Sequence, residues 1–504
     1  MELLIQGISD ILRWDVMIAL LVGSIGGVII GAIPGVGAAV AIAILLPATF
    51  SLDPLVGLTL LLGIYGASMY GGAIPAVLIN TPGTPVNALT TYDGYPMTQQ
   101  GQGTRAVSLA YSASFFGGIF SVICLILLAP YLAKVAPLFG SRDIFMAALL
   151  GAVLVVVSHR GHALVAGSLL FFGMFLNTIG MESIRYSMRF TFDQQWLISG
   201  FDLIVVILGL FAISQAFILL VEKDSKPAES HVEGGLFRGF KELFSHKRVA
   251  ASSSSFGVIM GIIPGVGEFL AQYFSYSLAQ KMSKTPEKFG KGAPEGVIAS
   301  EASNNAVPAA AMVPLLALGI PGEALTAMML SVFYVHNIIP GPALFNTRPE
   351  FLVSLYACLF IVNILILAFL LVSTNGITRL IRIPTRFLGM CILTLSLVGV
   401  YSLRNSPVDC AIAAVFGLFG FILKRLDLPV VPLVLGLVLG KILDEKFRNS
   451  FARLKSPLDM IDRPISGTIF ALIVLILAAH FYALWKSRTN KVPEFLQHKS
   501  KLGR

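Results

Sequence analysis

The segment Asn80-Thr81-Pro82-Gly83-Thr84-Pro85-Val86-Asn87-Ala88-Leu89-Thr90 sets two asparagines, three threonines and two prolines beside a long apolar run. Proline ends a helix and glycine lets the chain turn. A chain opened here offers free N–H groups where the next half-helix starts, with amide and hydroxyl donors beside them. That chemistry suits a carboxylate, and neutral donors suit a multivalent anion that must also be released. A polar loop outside the membrane is the plainer reading of the same residues. The second half holds a counterpart in Ser303-Asn304-Asn305, upstream of Pro308, and in Gly319-Ile320-Pro321-Gly322. Five acids lie nearby: Asp93, Glu268, Glu295, Glu301 and Glu323. A charge at the centre of a membrane helix costs about 2.5–3.5 kcal/mol on insertion scales, so one that stays there invites a functional reading. Glu301 and Glu268 are the ion-coupling candidates, for a proton or a sodium ion. Asp93 and Glu295 read as solvated loop acids, and His336 as structural.

The elements that position these groups recur. Gly27–Gly37 returns almost letter for letter as Gly257–Gly267, shifted by 230, with only Ile30/Met260 and Ala32/Ile262 different. Pro75, Pro82 and Gly83 return as Pro314, Pro321 and Gly322, shifted by 239, and Ala88-Leu89-Thr90 returns as Ala324-Leu325-Thr326. Each half therefore holds a Pro-Gly-Val-Gly break, a helix with a proline and a Pro-Gly break, which points to two structural repeats. A break inside lipid is tolerated only where the backbone faces protein or a watery cavity. Paired breaks in two halves are the pointer to a transporter's binding site; a simple hairpin turn is the alternative. The glycines every four residues, Gly23-Gly27-Gly31-Gly35 and Gly257-Gly261-Gly265, also predict close helix packing. The candidate substrate-binding residues are Pro34, Gly35, Gly37, Asn80, Thr81, Gly83 and Thr84, with Pro264, Gly265, Gly267, Ser303, Asn304, Asn305 and Gly322.

Composition agrees. The chain has 504 residues, 56% hydrophobic and 12% charged, where soluble domains carry about a quarter charged. The expectation is an all-α polytopic membrane protein with about 11–12 transmembrane segments, some broken or re-entrant. Apolar runs lie near 15–33, 55–80, 106–129, 142–157, 162–180, 201–221, 296–319, 351–375, 387–403, 407–423 and 466–485. Shorter pieces at 38–50, 268–280 and 429–443 read as half-helices or tilted spans. The organisation expected is a first repeat at 1–221 and a polar linker at 222–250, amphipathic around Leu236–Phe244. A second repeat follows at 251–443, then a basic loop, a last span and a cytoplasmic tail at 444–504. Inverted topology is the expected relation of the repeats. Inside-facing candidates are the linker, the Lys281–Lys291 loop, the Arg379–Arg386 loop and the tail. A crossing at 429–443 would put the basic loop 441–463 outside, against the positive-inside rule.

Other classes find little support. Net charge +9 fits cytoplasmic loops facing anionic lipid, not nucleic acid. Cys124, Cys358, Cys391 and Cys410 sit in apolar segments without C-x-x-C spacing and read as buried hydrophobes. The acids Glu2, Asp10 and Asp15 against Arg13 leave no basic n-region, so the first helix is expected to stay uncleaved. Neither H-E-x-x-H, G-x-S-x-G nor G-x-x-x-x-G-K-[ST] occurs, so no hydrolase or nucleotide site is expected. No cofactor is expected beyond a coupling ion.

At these residues the chain resembles the large membrane subunit of the tripartite tricarboxylate transporter (TctA) family. The resemblance rests on Gly31-x2-Pro34-Gly35-Val36-Gly37, on Tyr70–Pro75 running into Asn80–Pro85, and on Gly261-x2-Pro264-Gly265-Val266-Gly267. It continues through Pro294–Val297, Glu301–Ala306 and Leu318–Gly322, spanning roughly 15–445, and no motif position departs from the family pattern. It implies a secondary permease in a bacterial cytoplasmic membrane, driven by an ion gradient. It also implies a small four-helix membrane subunit and a periplasmic solute-binding protein as partners, with citrate or another carboxylate as substrate. A carboxylate channel, or a membrane enzyme or scaffold without transport, is the alternative.

Overall fold

The computed structural model describes residues 2–33, 36–159, 162–182, 186–221, 235–264, 267–380, 385–451 and 456–489. These are almost wholly helical. Among them the one strand pair is a short hairpin, β1 (Gly180–Met181) against β2 (Met188–Arg189). Among the described residues nine helices are long and apolar enough to cross a membrane, and three shorter apolar helices, Gly37–Thr49, Ala163–Asn177 and Ala324–Val335, accompany them, in keeping with about 11–12 segments of which some are broken. The shorter helices arise where apolar runs form half-length helices beside chain breaks.

A surface helix, α1 (Glu2–Ile11), precedes α2 (Trp14–Ala32), α3 (Gly37–Thr49) and α4 (Pro54–Ile79). Asp53 caps α4 by accepting from Leu55 N at 3.0 Å, with Pro54 pre-set at the first turn. Arg13 pairs with Asp15 at 2.7 Å and reaches Asp53 at 3.7 Å. The chain thus enters α2 and leaves α3 at the same end, so α2 and α3 form a re-entrant hairpin. Gly23 packs on Leu60, Gly27 on Ile64 and Gly31 on Ser68, so α2 and α4 run side by side in the same direction. A methyl group on Gly31 would collide with Ser68 O, and one on Gly71 with Val28 O. Only glycine lets these backbones approach so closely.

After the polar segment come α5 (Thr90–Gln99), the long α6 (Gly103–Val135), α7 (Ser141–Ser158) and α8 (Ala163–Thr178). Beyond the hairpin, α9 (Leu203–Ile207) passes through a π turn into α10 (Ser214–Val221). The expected amphipathic piece is α11 (Arg238–Ser245), held to α6 by an Arg105–Glu242 ion pair and by Gly239 N donating to Ser108 Oγ at 2.6 Å. The rest of the linker, 222–234, lies outside the described residues. Next, α12 (Lys247–Ile262) and α13 (Gly267–Met282) form a second hairpin.

The single run expected at 296–319 is two helices, α14 (Pro294–Asn305) and α15 (Val307–Leu318). Pro308 has no N–H for the helical bond to Asn304 O, and the Ala306 N–H takes that carbonyl instead. Then follow α16 (Ala324–Val335), α17 (Leu344–Thr347) and the long α18 (Pro349–Leu380). The chain closes with α19 (Thr385–Arg404), α20 (Pro407–Arg425), α21 (Val431–Phe451) and α22 (Pro464–Thr489). The short piece expected at 429–443 is the first part of α21, which continues through a charged stretch.

The halves interlock. Gly117 and Ser121 of α6 pack on Ala302 and Ala306 of the second half. Asn363 of α18 accepts from Tyr70 of α4 at 2.8 Å. The two long helices also cross each other: Tyr111 meets Thr374 at 3.0 Å, and Gly118 lies against Asn363. Residue numbers rise on one as they fall on the other, so α6 and α18 are antiparallel.

Candidate substrate and ion site

The two breaks share one backbone geometry. Ile33 and Ile263 end α2 and α12 in extended conformation, φ −87° and −84°. Gly37 and Gly267 restart the chain at φ +64° and +70°, where a side chain would be strained. The second pair of breaks matches too. Asn80 and Gly319 are left-handed caps at φ 58° and 71°. Thr81 N donates to Pro75 O at 3.2 Å, and Ile320 N to Pro314 O at 3.3 Å. Gly83 then lies against the carbonyl of Gly31, as Gly322 lies against that of Gly261.

Between these breaks lies the most polar part of the interior. Glu301, on α14, is fully buried. Its Oε1 accepts from Asn87 Nδ2 at 3.1 Å and from Thr90 Oγ1. Its Oε2 accepts from Ser114 Oγ at 2.9 Å and from Asn305 Nδ2 at 3.2 Å. Three of the four donors belong to the first half, so the carboxyl ties the halves together. Asn87 is held in turn by Met69 O at 3.0 Å and by the Thr84 hydroxyl. Buried polar groups are normally hydrogen-bonded. Asn304, fully buried one residue from Asn305, has no partner for either amide atom among the described residues, and Asn305 Oδ1 has none. A buried amide with both ends free is suited to a small ion or polar ligand.

The second hairpin closes on this cluster. Gln272 donates to Val86 O and leaves its own Oε1 free, while Glu268 Oε1 accepts from Tyr65 Oη at 3.1 Å. Gly37 approaches Thr84 and Pro85 from the first hairpin.

The structure sorts the sequence-derived candidates. It brings Gly37, Gly83, Thr84, Asn304, Asn305, Glu301 and Glu268 into or beside this region. Ser303 points back into its own helix, bonding Ala299 O at 2.9 Å, and its carbonyl packs on Gly257. Asn80 and Thr81 are exposed. Pro264 lies against Gly151, and Gly267 has open space around it. Gly322 is a packing position, and beside it Glu323 is buried with Oε1 unpartnered. Pro34, Gly35 and Gly265 lie outside the described residues.

Asp93 is not the solvated loop acid expected. It is fully buried, its Oδ1 accepts from Gly290, Gly292 and Ala293 N at 2.8–2.9 Å, and its Oδ2 accepts from Tyr276 at 2.7 Å. It clamps α5 to the start of α14. Glu295 is partly buried, facing Ser283 at 3.3 Å and His246 at 3.8 Å. Sequence reasoning did not single out Thr90, Ser114, Gln272 or Tyr65. Thr90 closed the polar segment and could have been marked; the other three sit in runs without any signal.

Broken helices, buried polar groups at their tips and interlocked halves define a polytopic membrane transport protein. The chain matches the tripartite tricarboxylate transporter TctA family over residues 17–435, and it belongs to that family. It is 32% identical over 94% of both chains to an uncharacterised 52.8 kDa protein in the TAR-I ttuC' 3' region of Agrobacterium vitis. A second protein from that organism, in the TAR-II ttuC' 3' region, is 33% identical over 44% of this chain and 93% of its own length. No solved structure matches. Membership makes the chain a component of a tripartite transporter, which implies partner subunits, and points away from an enzyme.

Proposed function

We propose that this chain is the permease subunit of a binding-protein-dependent secondary transporter in a bacterial inner membrane. It imports a tricarboxylate or related organic carboxylate, driven by a sodium or proton gradient. Its partners in this reading are a small four-helix membrane subunit and a periplasmic binding protein. The observation that carries the reading is Glu301, buried in one half and held by donors from the other, beside the unpartnered amide of Asn304. A cation or proton received there alters the contacts between halves, which is what coupling requires. The substrate carboxylates are received beside the segment around Gly83–Asn87, near the unpartnered amide of Asn304, since the Gly83 N–H and the Thr84 hydroxyl are already taken by Gly72 O and Asn87.

The matched breaks and the antiparallel α6 and α18 support reading the halves as inverted repeats that alternate access around this centre. The test is uptake of labelled citrate into proteoliposomes holding this chain and its membrane partner, with binding protein outside and a sodium or proton gradient imposed. Accumulation that needs both the binding protein and a gradient is the expected result. Flux that runs without either would replace the reading with a channel.

A further inference from the structure

A second polar region lies away from Glu301. A cavity of about 460 Å³ opens between the C-terminal ends of α8 and α16, the β-hairpin, the start of α9 and the later part of α21. That volume suits a small-molecule site. Four carboxylates line it, and each has a cation. Glu182 pairs with Arg448 at 3.0 Å, Asp444 with Arg189 at 3.0 Å, Asp202 with Arg404, and Glu445 with Lys446 at 2.9 Å. Lys441 is left over. It lines the cavity, pairs with no described carboxylate, and sits 5.8 Å from the centroid of Tyr334. Arg189 lines it too, and its buried Nε–H has no acceptor among the described residues. One ammonium and one guanidinium N–H are therefore unused, with Ser331 and Tyr334 supplying hydroxyls along the same wall.

The cavity's side of the membrane follows from the chain. Arg404 lines it, and α20 runs from there to Lys424 and Arg425 at the opposite end. Basic residues flanking spans face the cytoplasm; the start of α19 packs on the end of α10, so the basic linker that follows α10 leaves from the same end as Lys424 and Arg425, and the cavity opens outward, with the basic loop 441–463 as an exception to the rule. One of its wall helices runs back toward the second Pro-Gly break. Its wall includes Ser331 and Tyr334 of α16, whose first turn follows Glu323; twelve helical residues cover about 18 Å.

We infer that this cavity is an outer receiving site for a di- or tricarboxylate anion. Lys441 Nζ and Arg189 Nε–H bind its carboxylate oxygens before the anion moves along α16 to the centre. The ion pairs hold the hairpin and α21 in place and neutralise the four acids, two of them with cations from outside the wall, Arg448 and Lys446, which leaves Lys441 as the unpaired charge that meets an entering anion. The inference rests on the carboxylate-import reading, and its test separates the two.

Proteoliposomes would hold the full chain with its membrane subunit, as wild type and as Val335→Cys, a position on the cavity wall that leaves Lys441 in place. The variant's thiol should react with a membrane-impermeant maleimide added outside, above the background of the native cysteines. Citrate or succinate should slow that reaction at least about fivefold, the protection expected when a bound anion occupies most sites, while chloride at equal ionic strength should not. Labelling only from inside, or no protection by either anion, would overturn the inference. Protection by the binding protein alone would also overturn it, marking a docking surface instead. In uptake, Lys441→Gln should raise KM about tenfold with kcat little changed, as for one lost charge-assisted contact, and Lys441→Arg should restore it. A fall in kcat at unchanged KM would count against the site. Wild-type vesicles that accumulate no carboxylate would refute the import reading, and the maleimide protection would still decide the cavity.

Discussion

In the second half, the helix that leads into the Pro-Gly turn is interrupted at Ala306, whereas in the first half α4 runs unbroken from Pro54 to Ile79. The shift of 239 pairs Pro308 with Met69, so the residue that lacks an N–H in one half has one in the other. The same shift pairs Asn304 with Tyr65 and Glu301 with Leu62 (304 − 239 = 65; 301 − 239 = 62). A shift of 236 pairs Glu323 with Asn87 (323 − 236 = 87). The break and cap geometries match, and the chemistry does not. The acid stands in one half and most of its donors in the other. A site built that way changes when the halves move relative to each other, which a symmetric pair of self-contained sites would not do.

Glu301→Gln should therefore have the largest effect. Glutamine keeps the size of the side chain but replaces an oxygen that accepts from Asn87 and Thr90, or from Ser114 and Asn305, with a donor. Gradient-driven uptake is expected to fall about a hundredfold, corresponding to roughly 2.7 kcal/mol. Comparison of uptake per inserted protein checks this. Normal accumulation would remove Glu301 from coupling and make the cluster a plain clamp between the halves.

The next contrast is in packing. A methyl group on Gly31 collides with the backbone oxygen of Ser68, whereas on Gly261 the tightest contact is 2.8 Å, to the Ala310 methyl. The overlap at Gly31 is the deeper of the two, and at neither position can the struck atom rotate away, since an alanine Cβ is fixed to its backbone. Gly31→Ala should destabilise the protein by about 2–3 kcal/mol and Gly261→Ala by roughly 1 kcal/mol, within the range for overpacked cores. Thermal unfolding of the two variants in the same detergent would measure the difference. Equal midpoints would mean that the hairpins are packed alike in solution.

Much of this could be read from the chain beforehand. The breaks were legible because proline and glycine act locally, and their recurrence at shifts of 230 and 239 needs no third dimension. Membrane character was legible from composition alone. The partners of Glu301 were not, because Ser114 and Thr90 lie 187 and 211 positions away and look like any small polar residue in an apolar run. Asp93 was misjudged because a carboxylate beside a glycine-rich stretch looks solvated; only the fold brings the N–H groups of 290–293 to it. The polar cavity at Lys441 was hidden for the same reason, since its walls come from six separate stretches of sequence.

The smallest expected effects lie at the matched pair Asn304 and Tyr65. Asn304→Ala removes a buried amide with no partner, so expression and unfolding temperature should stay near normal, or rise slightly. Uptake should fall about tenfold if that amide serves a ligand, a loss of roughly 1.4 kcal/mol. Tyr65→Phe removes the hydroxyl that donates to Glu268 at 3.1 Å. It leaves the ring in place, and its effect on uptake should be only about two- to fivefold, a loss of about 0.5–1 kcal/mol, within one hydrogen bond's net contribution. The order matters more than either value. A Tyr65→Phe loss larger than that of Asn304→Ala would move the working centre from the unpartnered amide to the second hairpin, with Glu268 in place of Glu301 as the coupling acid. Uptake against pH would then separate the acids: Tyr65→Phe removes a donor to Glu268 and Thr90→Val one to Glu301, and only the variant that disturbs the coupling carboxyl should shift the profile.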